Sequence, residues 1–426
     1  MPKLLIKNGR VIDPASGRDE VADVLIKGGL VVRIGPDLHA TGAIQFDATG
    51  LVVAPGFVDM HVHLREPGFE HAETIESGSK AAAAGGFTSI CAMPNTHPVN
   101  DDATVTRYIV ERAQRSAIVN VFPIGAITKD SAGEQLAAIG SMKAAGVVAI
   151  SDDGQPVMNS RVMRRAMEFA HAFDLPVIDH CEDLHLSAGG DMHEGLESVR
   201  LGLRGIPASS EDVMVARDVI LAETTGARFH VAHISSRRSL EMVMRAKARK
   251  LPVTCEVTPH HLALTDAEML PYDSNYKMKP PLRSAADAEA LIEGIAAGIV
   301  DAIATDHAPH PGSEKMQEFE KCPFGIIGLE TAVAVTLEKL VHSGRIPLVR
   351  WVELFTTGPA RVLGLNRGRL EPGLPGDVTV FDPELAWTYD VNRSFSKSRN
   401  SPFHGRSFRG APVATVVGGR VVWQRG

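Results

Sequence analysis

The chain has 426 residues, 44% hydrophobic and 22% charged, the proportions of an ordinary soluble globular protein large enough for a substantial core. No apolar run approaches the roughly 20 residues that span a bilayer. A formal net charge of −7 with scattered cations disfavours a nucleic-acid partner and leaves small molecules as the better candidates. The N-terminus lacks the apolar stretch of a secretory signal, so a cytoplasmic location is expected. Cys91, Cys181, Cys255 and Cys322 form no C-x-x-C pair and are expected to be buried free thiols.

In chain order, residues 1–54 read as short strands with turn punctuation: Leu4–Ile6, Val11–Ile12 before Asp13-Pro14, Val24–Ile26 before Gly28-Gly29, and Val31–Ile34. Residues 368–426 read the same way, with Asp377–Asp382 and a hairpin of Ala414–Val417, Gly418-Gly419 and Arg420–Trp423. Neither end can bury a core alone, so the two are expected to pack together as one composite β-domain. Between them, over residues 55–367, eight β-prone runs alternate with helical stretches, the pattern of a (β/α)₈ barrel in an α/β fold. The runs are Phe57–His63, Phe87–Ala92, Val119–Ile124, Val147–Ser151, Leu175–His180, Arg228–His233, Leu251–Val257 and Val300–Thr305. Helices are expected over Glu73–Ala84, Arg161–Ala172, Asp212–Thr225, Leu240–Lys247 and Ala285–Ala297. An open doubly wound sheet fits less well, because no G-x-G-x-x-G follows the first strand.

His61 and His63 lie two apart on the first run and so share one face, able to grip one metal ion. In a chain with seventeen histidines such a pair alone does not make a site. The other candidates also sit where runs end: Asp152 and Asp153 after the fourth, His180 after the fifth, His233 after the sixth and Asp306 after the eighth. In a barrel those ends share the rim on which active sites are built. Imidazoles with carboxylates suit Zn²⁺ better than Mg²⁺ or Ca²⁺. Four histidines and two aspartates exceed the ligands of one catalytic zinc, which points to two ions about 3.5–4 Å apart sharing a carboxylate. Alternation puts Asp152 and Asp153 on opposite faces without saying which looks inward. His260-His261 face opposite ways if they continue the seventh strand and are read as structural, and Gly312–Pro323 is read as a cover over the site or an ordinary surface loop.

The segments Pro55-Gly56-Phe57-Val58-Asp59-Met60-His61-Val62-His63-Leu64-Arg65-Glu66-Pro67-Gly68 and Ala304-Thr305-Asp306-His307-Ala308-Pro309-His310 resemble the two signature segments of dihydroorotases, within the amidohydrolase superfamily. Ala92-Met93-Pro94-Asn95-Thr96, Ser151-Asp152-Asp153-Gly154, Asp179-His180-Cys181-Glu182, Pro280-Pro281-Leu282-Arg283 and Pro323–Glu330 extend the match almost end to end. The resemblance implies a barrel flanked by a composite β-domain. It also implies two Zn²⁺ ions bridged by Asp153 and a hydroxide, with His61 and His63 on one ion and His180 and His233 on the other. Asp306 would ligate the first ion and shuttle the proton. Hydantoinases and allantoinases bridge their metals with a carboxylated lysine, which this chain lacks at the fourth strand, and its Asp-Asp-Gly resembles the bacterial branch bridged by aspartate.

The implied reaction is the reversible interconversion of N-carbamoyl-L-aspartate and L-dihydroorotate in pyrimidine synthesis. The substrate carboxylate would be held by Arg65, whose guanidinium can make two parallel hydrogen bonds, with His63, Asn95 and His310 beside it and Phe324-Gly325 against the ring. Lys279 stands where the family usually has asparagine; it could reach the same anion as a point charge or turn to solvent. A homodimer is the expected assembly and aspartate transcarbamoylase a candidate partner. The alternatives are another cyclic amidohydrolase, such as an allantoinase or hydantoinase, and an inactive scaffold subunit for that transcarbamoylase.

Overall fold

The computed structural model describes residues 3–269 and 272–426. Both ends of the chain enter one eight-stranded sheet. Its strands are Lys3–Asp13, Arg18–Lys27, Leu30–Gly35, Ile44–Asp47 and Val52–Pro55 from the N-terminal side, and Val378–Thr388, Ser407–Val417 and Arg420–Gln424 from the C-terminal side. The two sides meet where Val52–Pro55 pairs antiparallel with Val378–Phe381. Leu4–Ile6 and Val11–Ile12, separate runs in the sequence reading, belong to one strand whose register shifts between Ile6 and Gly9. A bulge keeps pairing continuous across the polar break at Lys7-Asn8. Gly28-Gly29 and Gly418-Gly419 each make a two-residue turn with positive φ at both positions, a conformation that closes a hairpin with the right twist and disfavours any side chain.

Alternation along these strands divides their side chains between two cores. Val53, Val378, Val380, Ala414 and Val416 fill the core of the sheet, while Val52, Ala54 and Phe381 belong to the core of the barrel. At that junction Phe57 stacks on Phe355 with ring centroids 5.3 Å apart, and Trp351 lies 5.3 Å from Phe381. Burying each such ring contributes about 1.5–3 kcal/mol, so the sheet and the base of the barrel form one apolar unit.

Seven of the eight expected runs form parallel strands, and with the fourth they close into a ring. Phe57–Val62, Phe87–Ala92 and Asn120–Pro123 make one ladder; Val177–Asp179, Phe229–Val231, Val253–Val257 and Ala302–Ile303 make another. The fourth run is no regular strand, and only Ile150 bridges, to Gly125 on one side and Val177 on the other. A bridge between Val62 and His307 closes the ring. Helices Ile75–Ala84, Ser160–Ala172, Ser209–Thr225, Arg237–Ala248 and Ala285–Ala296 cover the outside. Thr74, Asn159, Ser236 and Ser284 cap four of them by accepting from first-turn backbone N–H groups.

His260 and His261 lie on a short helix, Pro259–Ala263, and not on a strand, because Thr258 caps it and Pro259 is preset for its first turn. His261 is held by Thr258 Oγ1 at 2.7 Å and the Pro280 carbonyl at 3.1 Å. All four cysteines are free and buried. Among the described residues no helix is long and apolar enough to cross a membrane.

Candidate active site

Asp59, in the middle of the first strand, organises the rim from below. Its carboxylate accepts from the His61 backbone N–H at 3.1 Å, and from the Thr305 N–H at 3.1 Å and hydroxyl at 2.6 Å, tying the first strand to the end of the eighth. Complete burial pushes its carboxyl up to about 7. Arg65, His233 and Asp306 all have positive φ just beyond strand ends. Such conformations cost roughly 1–3 kcal/mol each in non-glycine residues and collect at functional sites.

The rim brings His61, His63, Asp153, His180, His233 and Asp306 together. Asp153 is central: its carboxylate lies 3.3 Å from His61 Nε2, 3.4 Å from His63 Nε2, 3.6 Å from His233 Nε2 and 3.8 Å from His180 Nδ1. Asp306 Oδ1 lies 3.1 Å from His63 Nε2 and 3.5 Å from His61 Nε2. Asp152 turns away and accepts from the backbone of Ile127 and Thr128 and from the Thr128 hydroxyl. Burial raises the Asp153 carboxyl, but the imidazoles of His61, His233 and His63 outweigh it and hold it well below the ordinary carboxylate range. Asp306 is lowered in the same way, burial being overcome by His61 and His63. Both acids are therefore carboxylates, as metal ligands must be.

The cluster fits a metal ion on its own geometry. At ligand distances of about 2.0–2.1 Å, a tetrahedral ion sets its ligands roughly 3.3 Å apart, close to the separations above. Among the described residues His61 Nε2 and Asp153 Oδ1 are buried with no hydrogen-bond partner, a costly state for polar atoms unless something else satisfies them. His180 Nδ1 and His233 Nε2 approach to 2.9 Å, so both ring nitrogens face the cluster. Outer partners fix which ring nitrogens face inward: His61 Nδ1 is 2.8 Å from Glu256 Oε1, His63 Nδ1 is 2.8 Å from Asn95 Oδ1, and His180 Nε2 is 2.9 Å from Glu182 Oε2. Each oxygen takes the N–H of its imidazole and leaves the inner nitrogen bare.

Beside the cluster, the half-buried Arg65 donates from Nε to the Pro309 carbonyl at 3.3 Å and meets His310 Nε2 at 3.4 Å. The carboxylates of Asp306, Asp153, Glu314 and Glu73 act on its guanidinium through space, but among the described residues none forms an ion pair with it. His310 Nδ1 is 3.0 Å from Glu314. The Gly325 N–H donates to the Lys277 carbonyl at 2.9 Å, and Phe324 lies under Lys279 with Nζ 5.2 Å from the ring centroid. Lys279 Nζ is also 2.8 Å from Glu182 Oε1, so it touches the partner of His180. The 312–323 segment is tied down by Lys315, buried and donating to the carbonyls of Ser274, Lys277 and Pro323 at 2.9, 3.2 and 2.8 Å.

The sequence reading missed Glu256, Asp59 and Asn400. The first two carry a legible signal, an acid within an apolar core strand, which persists only when it is paired. Asn400 carries none: from the C-terminal segment its amide donates to the Ala308 and Gly325 carbonyls at 2.9 and 3.0 Å, and its carbonyl accepts from the His310 N–H at 3.1 Å.

The family model described as dihydro-orotase-like matches residues 50–239. A dihydroorotase of Solibacter usitatus (strain Ellin6076) is 71% identical over 422 residues, covering 99% of this chain and 98% of that protein, and one of Pelotomaculum thermopropionicum is 54% identical over 99% of both. The solved L-hydantoinase (dihydropyrimidinase) of Arthrobacter aurescens superposes with a TM-score of 0.90 at 28% identity, over 100% of this chain and 97% of that one. The hydantoinase likeness carries the barrel-and-sheet fold, and end-to-end identity above one half narrows it further: the chain belongs to the dihydroorotase family of metal-dependent cyclic amide hydrolases.

Proposed function

We propose that the chain interconverts N-carbamoyl-L-aspartate and L-dihydroorotate, a step of pyrimidine synthesis, with two zinc ions held by His61, His63, Asp153, His180, His233 and Asp306. When bound, such ions acidify a water toward a pKa of about 7 and polarise a carbonyl oxygen. Asp306 moves the proton. In ring opening its carboxylate takes a proton from the attacking water and returns it to the ring nitrogen as the C–N bond breaks. In ring closure it accepts the ureido proton and gives it to the departing hydroxyl. Arg65 orients the substrate by its carboxylate, with His63, Asn95 and His310 around it and Phe324-Gly325 against the ring.

One observation carries the choice of substrate: Arg65 stands beside the candidate metal ligands, bonded to the Pro309 carbonyl and His310, and among the described residues no carboxylate forms an ion pair with it. Hydantoin and allantoin bring no carboxylate to fill that place, whereas L-dihydroorotate does. A metal-replete assay of the three side by side is expected to show turnover confined to L-dihydroorotate; turnover of hydantoin alone overturns the reading. The full set of ligands also counts against an inactive scaffold.

Lys279 belongs to the substrate side of this proposal, as a cation over Phe324 restrained by Glu182. Lys279→Asn is expected to change KM for L-dihydroorotate more than kcat. Equal KM values for variant and parent remove Lys279 from the binding site. The proposal further includes a composite β-domain of 1–54 and 368–426 beside a barrel of 55–367, a cytoplasmic homodimer, and aspartate transcarbamoylase as a candidate partner. The shared sheet supports the first of these.

A further inference from the structure

We infer that His230 and Glu256 form a buried positioning pair that fixes the tautomer of His61 and thereby sets how tightly the centre holds its metal. The inference rests on the reading of His61 as a metal ligand. Glu256 and His230 are both 0% exposed, inside the barrel beneath the rim. Glu256 spans two imidazoles: Oε1 lies 2.8 Å from His61 Nδ1, and Oε2 lies 3.3 Å from His230 Nε2. His230 Nδ1 in turn lies 2.8 Å from Thr254 Oγ1. Oε1 also accepts from the backbone N–H of His233 at 3.4 Å, so one carboxylate touches ligands assigned to both ions.

An ionised carboxylate only accepts hydrogen bonds, so both imidazoles must donate to it. His61 then carries its proton on Nδ1, leaving the Nε2 lone pair for metal. His230 carries its proton on Nε2 and accepts at Nδ1 from the Thr254 hydroxyl. Apart from Asp59 and Thr254, the neighbouring layer is apolar and includes Met60, Cys91, Ile124, Ala149, Ile178 and Ala232. In such a setting a lost donor is not readily replaced, and the penalty falls on the remaining members of the chain. Removing the His230 N–H leaves half of the Glu256 carboxylate unpaired and frees it to turn from His61, which lets the proton of His61 move to the nitrogen that should bind metal. Partners of this kind change metal affinity by about 10–100-fold.

The test is zinc affinity by chelator competition on the full-length protein, with the thermal midpoint of the metal-free form measured in parallel. His230→Phe is expected to weaken zinc binding at least ~10-fold, and His230→Gln, whose amide N–H can reach Glu256 from the place of Nε2, is expected to recover most of it. Glu256→Gln is expected to weaken zinc binding similarly, and it carries the test if the phenylalanine variant does not fold. Parent-like affinity in His230→Phe or in Glu256→Gln overturns the proposal. Equal losses in the phenylalanine and glutamine variants of His230, with equal falls in the metal-free thermal midpoint, also overturn it and assign His230 to packing. A control separates this from failure of the underlying reading: if His61→Ala leaves zinc affinity unchanged, His61 is not a ligand and the pair has nothing to position.

Discussion

Replacing Asp306 with alanine is expected to slow ring opening by at least ~100-fold, the lower range for a positioned general acid–base group. The carboxylate is held where the effect should be large. It follows the eighth strand with φ 48°, and its Oδ1 lies within 3.5 Å of both His61 and His63. The imidazoles keep it ionised despite burial, so it can accept a proton at the start of the reaction. Because the same carboxylate is assigned to the first metal, steady-state rates and zinc content should be measured on one sample. A near-normal rate assigns the proton transfer to another group, and loss of rate with loss of zinc shows ligation as the larger role.

Asp153→Ala is expected to be at least as damaging, lowering bound zinc by one ion or more and ring opening by more than the ~100-fold upper range for partners outside the coordination sphere. Among the described residues, Asp153 is the one carboxylate that reaches all four imidazoles, at 3.3–3.8 Å. Without it, four ring nitrogens face a common space in which His180 and His233 are already 2.9 Å apart, with Asp306 as the remaining carboxylate on the inner side of the cluster among the described residues. Metal analysis after exhaustive dialysis, beside the rate, provides the check. Two retained zinc ions with parent-like turnover exclude Asp153 as the bridge.

Much of this was legible before any coordinates. Paired glycines at 28-29 and 418-419 announce hairpins because only a residue without a side chain readily takes both turn positions. Candidate ligands at the ends of apolar runs converge because a parallel barrel gathers those ends on one rim. The limits are equally physical. Alternation could not choose between Asp152 and Asp153, since the fourth run leaves regular strand geometry and pairs only through Ile150. The helix at Pro259 was overlooked although Thr258-Pro259 is a cap followed by a preset first turn. Asn400 had no local pattern at all: its role arises from contacts with loops 75 and 92 residues away, which composition and periodicity do not encode.

The pairing of Val52–Pro55 with Val378–Phe381 has a consequence for how the protein is made. A growing polypeptide completes the whole barrel sequence before the partner of that early segment leaves the ribosome. Until then the edge of Val52–Pro55 has open amide and carbonyl groups, the kind of template on which neighbouring chains associate. Premature termination anywhere before Val378 would leave that edge open for good, so incomplete products should be sticky rather than merely inactive.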